Sequence, residues 1–169
     1  MKAGIKNMAA RWWKATLLSF LFSARLIGQQ ASTDQVLTLQ VLEINKIGIN
    51  NTAVTLIIDQ ASLEDGKAIP AVNEEGVLMW ITNGENKKIT VASNNPSPRF
   101  LIKLVALDVP NSAGVAGPEV VLSDNTTKDM VIGVSKTIGR CKVKFTASAK
   151  IGDGVGSETY IITYTITGS

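Results

Sequence analysis

The sequence predicts an all-β protein, an antiparallel β-sandwich of eight or nine short strands, and three observations lead there. Beyond the first 28 residues, apolar side chains recur with a period of two almost everywhere. Clusters of Gly, Asn, Asp and Pro interrupt those runs, as turns between strands do. No stretch there sustains the 3.6-residue apolar period of an amphipathic helix, so a mixed fold lacks its helices.

Taken in order, Leu37, Leu39 and Val41 alternate with Thr38 and Gln40, and the phase then slips to Leu42 and Ile44. This predicts a first strand over residues 37–44 with a β-bulge at the slip. Short strands follow at 54–58, 77–82 and 89–92. Residues 100–107 are apolar on both parities apart from Lys103, the pattern of a strand inside a sheet. Strands at 120–122, 130–134, 141–151 and 159–167 complete the set, and immunoglobulin-like and pilin-like arrangements both satisfy it.

Two turns carry specific chemistry. "TNGENKK", residues 82–88, holds an Asn-Gly pair between two strands, the strongest short-range hairpin signal. "IGDGVGS", residues 151–157, has three glycines between the last two long strands and predicts a second hairpin. Its Gly-x-Gly spacing is no nucleotide loop, because no helix follows to aim N–H groups at phosphate.

The N-terminus reads differently. Lys2, Lys6, Arg11 and Lys14 precede the short apolar core "ATLLSFLF", residues 15–22, and small or polar residues follow it. That is the layout of a secretory signal peptide, expected over residues 1–28 and cleaved before Gln29. The apolar core is far shorter than the ~20 residues that span a bilayer, so no stable membrane span is expected after cleavage. Residues 29–169 are then one secreted domain, 141 residues long, enough to bury a core. No anchor or sorting module is expected beyond the closing strand.

Processing reverses the charge. Lys2, Lys6, Arg11, Lys14 and Arg25 leave with the leader, so 12 basic residues face 14 acidic ones and the formal charge is −2. The basic balance of the whole chain is a targeting signal, and nucleic acid is not an expected partner. The single cysteine, Cys141, cannot form an internal disulfide.

The absence of histidine removes His-based nucleophile pairs, His general bases and the commonest zinc ligand together. Cys141 shares a parity with Val143, Phe145, Ala147 and Ala149, and is expected to be a small buried hydrophobe. "SDN", residues 123–125, lacks the Ser-x-x-Lys partner of penicillin-binding enzymes. The acid pairs Glu64 and Asp65, Glu74 and Glu75, Asp124 and Asp129, and Asp153 and Glu158 lack the dense spacing of a calcium loop and are expected in or beside loops, solvated. Nothing marks one of them as the buried acid of a glycosidase. Trp80 lies in "VLMWIT", apolar on both parities, which favours core packing over sugar stacking. No catalytic, metal or cofactor residue is expected, and the protein is not expected to be an enzyme.

In the last run, Tyr160, Ile162, Tyr164 and Ile166 can face a core while Thr159, Thr163, Thr165 and Thr167 face water. The order "TLQVLEINKI", "LMWITNGENKKITVA", "VVLSDNTTKDMVIGVSK", "GRCKVKFTASA", "YIITYTIT" resembles a family of small secreted β-proteins of Bacteroidetes-type bacteria. The closing Thr/Tyr-rich strand is loosely similar to spore-coat-U-type and pilin-like secreted subunits. The resemblance covers nearly all of residues 29–169 and implies a surface or fimbria-like role, with protein partners at an edge strand. A carbohydrate- or peptide-binding module is the alternative, with cell-surface polysaccharide as its partner. Residues 29–35, "QQASTDQ", offer no large apolar side chain, so the chain is expected to fold as a self-complete monomer whose first alternating run serves its own domain.

Overall fold

The computed structural model describes residues 33–64 and 67–169. The signal segment expected over residues 1–28 lies outside them. By contacts the chain divides into two compact units, Met1–Gln40 and Val41–Ser169.

Nine strands form among the described residues: β1 Asn45–Ile49, β2 Ala71–Thr82, β3 Lys87–Ser93, β4 Leu101–Leu107, β5 Val115–Ala116, β6 Val120–Val121, β7 Lys128–Val134, β8 Thr137–Ser148 and β9 Ile162–Gly168. They make a five-stranded sheet, β1-β2-β8-β4-β6, and a four-stranded sheet, β5-β7-β3-β9. Every ladder is antiparallel. The fold is the expected all-β sandwich.

The faces follow the parity of the sequence. On β8, Gly139, Cys141, Val143, Phe145 and Ala147 are buried while Arg140 and Lys142 are exposed. Leu78 and Trp80 of β2 and Ile102 and Leu104 of β4 meet Ile89 and Val91 of β3 and Met130, Val131 and Val134 of β7 in one core. Trp80 packs as expected and lies flat against β8, where a Cβ on its register partner Gly139 would sit 2.2 Å from the indole. β4 is flanked on both sides, by β8 and β6, yet only its even-numbered side chains are buried.

Several expectations are corrected. Residues 37–44 form no strand, so neither the first strand nor its bulge exists there; the ladder begins at Asn45 and the bulge lies in β2 between Asn73 and Gly76. Residues 54–58 also pair with nothing, although Val54 and Leu56 pack against the core. β2 starts six residues before the expected 77, and β8 ends at Ser148, because Ile151–Asp153 turns into a short 3-10 helix.

Both expected hairpins are instead crossings between sheets. β2 and β3 flank the Asn-Gly turn but belong to opposite sheets, and so do β8 and β9 around the glycine-rich loop. In the first, the left-handed residue is Asn86 at φ 51°, not Asn83 or Gly84, so the type I′ geometry of a tight hairpin is absent. Asn83 works through its side chain: the Ile44 N–H donates to its Oδ1 at 2.6 Å, and its Nδ2 donates to the Leu42 carbonyl at 2.9 Å. From β2 onward every successive strand changes sheet. The hydrogen-bonded ladders among the described residues are therefore all long-range.

Candidate functional site

The seam between the sheets opens into a groove of about 870 Å³. β9 and its approach supply Tyr160, Ile162 and Tyr164 to one wall, and the five-stranded sheet supplies Ile102, Phe145 and Ala147 to the other. Residues 54–58 close the rim by packing Val54 and Leu56 inward without a ladder. Their alternation reads as a strand, but they lie in no ladder.

Glu158 organises the end of the groove. Its carboxylate accepts the backbone N–H of Arg99 at 3.1 Å and of Phe100 at 3.2 Å, and the hydroxyl of Tyr160. These bonds, that from Tyr160 first, hold its pKa below the ordinary carboxylate range. Burial, and then Glu158 itself, push the Tyr160 phenol up. Glu158 stays ionised and Tyr160 protonated around neutrality, so this pair fixes geometry instead of exchanging a proton there. The Arg99 guanidinium lies 4.9 Å from the Phe100 ring centroid and donates to the carbonyls of Asp153 and Val155, the latter at 3.0 Å. Sequence reasoning placed Asp153 and Glu158 in a loop but missed their bonds to the Lys150 N–H and to Arg99 and Phe100. These partners are distant in sequence or invisible to side-chain pattern.

Of the remaining acids, Glu74 and Glu75 lie within β2 and Asp129 within β7, not in loops, and Asp65 lies outside the described residues. Glu74 pairs with Lys144 at 2.8 Å, Asp129 with Lys88 at 3.0 Å and Asp124 with Lys128 at 3.3 Å. Asp124 is pulled down to about 2, chiefly by the Thr126 hydroxyl and backbone N–H. Cys141 is buried, and burial pushes its thiol up to about 11. Among the described residues no group of His, Cys, Asp and Glu is placed to hold a metal ion, and no helix is long and apolar enough to cross a membrane.

Beside the groove runs the edge of β9. Ile161 exchanges bonds with Asn94 and Ser169 donates to Asn86, so residues 161, 163, 165, 167 and 169 point their backbone groups at β3. By the alternation of an antiparallel pair, the N–H and C=O groups of Ile162, Tyr164, Ile166 and Gly168 point to the open side. The other sheet edges are guarded. β5 and β6 have two residues each, and β1 carries Lys46. β9 has seven residues, "ITYTITG", with no charge and no proline. It lacks the usual devices that stop an edge from recruiting another strand. The hydroxyl of Tyr164, which lines the groove, is buried with no hydrogen-bond partner among the described residues, and burial pushes its pKa up.

Among the described residues, fold and site together define a two-sheet antiparallel sandwich with one unguarded edge above a groove of mixed polar and apolar lining. No family model, curated protein or solved structure matches this chain.

Proposed function

We propose that the protein is a secreted, non-catalytic β-sandwich subunit that acts through protein contact at the β9 edge, as a component of a surface layer, matrix or fimbria-like assembly. The single observation that carries this reading is the open edge of β9, long and uncharged where the other three edges are short or bear a lysine. The basic, then apolar, then small-residue N-terminus supports export. Strand addition to such an edge gives affinity through main-chain hydrogen bonds and specificity through side-chain pockets, and the groove beneath β9 offers the pockets.

A second reading, a carbohydrate- or peptide-binding module, is favoured by the aromatic side chains Phe100, Phe145, Tyr160 and Tyr164 along the groove. Fractionation of producing cells with intact-mass measurement tests the first reading. The expected product lies outside the inner membrane and begins within a few residues of Gln29. A soluble cytoplasmic chain still containing Trp12 and Trp13 would sink it. A saccharide that raises the unfolding temperature of the purified protein would favour the second.

A further inference from the structure

Resting on that reading, we propose that the β9 edge and its groove receive residues 33–41 of a second copy of this chain, added as an antiparallel strand. Two unpartnered elements of one molecule complement each other. Residues 35–42, "QVLTLQVL", are uncharged and alternate, and they lie in no ladder. Val36, Leu37 and Leu39 are each at least 85% exposed, a costly state for side chains of that size. The free side of β9 is uncharged too, has backbone donors and acceptors at four residues, and stands over a groove whose mixed lining includes Ile102, Phe145 and Ile162.

The tether explains why the strand comes from another copy. Leu42 and Ile44 are held by the Asn83 side chain, and Glu43 pairs with Lys87 at 2.5 Å. Lys87 is the register partner of Gly168, the C-terminal end of β9. A strand that finishes there runs in the same direction as β9, so its own arm could add only in parallel. Antiparallel addition, the pairing of every ladder in this fold, needs the arm to finish beside Ile162 instead. That end lies six residues along β9 from Gly168, about 20 Å at strand rise. An arm anchored at Asn83 of a different copy has no such restriction. Each copy then offers one arm and accepts one, which closes as a reciprocal dimer or continues head to tail.

The test uses the protein purified in the processed form that expressing cells accumulate, with mass measured by light scattering across a concentration series. The expected result is a species heavier than the monomer whose fraction rises with concentration. The double variant Leu37→Asp with Leu39→Asp should lose that species while keeping the parent's circular dichroism and unfolding midpoint, since both positions lie outside the folded ladders. In a second arm, Thr38→Cys and Gln40→Cys proteins are mixed with Thr163→Cys and Thr165→Cys proteins. Disulfides forming between differently substituted copies support the proposal. A monomer at every concentration overturns it, as does a bridge forming only within a doubly substituted copy. Oligomers that survive the double Asp variant overturn the arm as occupant and leave the edge-contact reading standing; a chain never exported removes that reading itself.

Discussion

Residues 37–41 and residues 160–166 are written in the same code, large apolar side chains on one parity and Thr or Gln among those of the other. In the second, Tyr160, Ile162, Tyr164 and Ile166 pack against the core, and residues 162–166 ladder with β3. In the first, Leu37, Leu39 and Val41 stand in solvent without a ladder. The difference is a partner. β9 reaches β3, whose other side is already held by β7, whereas the strand that follows residues 37–41, β1, pairs only with β2. Alternation licenses a strand on either side of a sheet, but only an edge in reach converts the licence into structure.

The sharpest way to break this comparison is to delete each segment. Removing residues 159–169 should abolish cooperative thermal unfolding, because it strips an apolar wall and leaves the backbone of β3 unpaired on one side. Removing residues 33–40 should leave the transition of the monomer intact. Circular dichroism melts of both deletions check this, and equal losses would mean that the two segments are not different in kind.

Single truncations give a smaller contrast. Ile166→Ala should cost about 2 kcal/mol, the low end for a buried aliphatic since Ile166 is only partly covered, and Leu39→Ala should stay within about 0.5 kcal/mol. Urea titration of dilute protein, where copies are apart, measures both. Asn83→Ala acts at the boundary. It removes the two side-chain bonds to Leu42 and Ile44 and should cost about 1 kcal/mol, with faster amide exchange at Ile44 as its local signature. Unchanged exchange would show that the arm's base is held by something else.

Acid should loosen both segments a little, since each is anchored by a carboxylate with a depressed pKa. For Glu43 the Lys87 contact is the first cause, and for Glu158 the Tyr160 hydroxyl. A lowered folded pKa contributes stability above the unfolded value of 4.5, and that contribution disappears as pH falls through the folded values. The urea midpoint should therefore drop below pH 4.5, and Glu158→Gln should flatten part of the drop. A midpoint independent of pH down to 3 would remove the carboxylates from the account.

What could be read from residues is what depends on the pleat. The inward parity of β8, with Cys141, Val143 and Phe145 buried and Arg140 and Lys142 outside, follows from a period of two and from nothing else. So does the Thr face of β9. The strands expected at 89–92 and 130–134 lie within two residues of the observed ends for the same reason.

Sheet membership was not legible, because it is not a local property. The Asn-Gly turn and the glycine-rich loop each announce that the chain reverses, but a reversal within one sheet and a crossing to the other use the same residue types. Here the burial of Trp80 against Gly139 and of Ile89 against β7 and β9 settles it, and those partners lie tens of residues away. The groove and its unguarded edge are products of that choice: each strand after β2 lies in the sheet opposite its predecessor's, and β9 takes an edge that no second strand among the described residues pairs with. Parity is written residue by residue, whereas an edge exists only after all the other strands have taken their places.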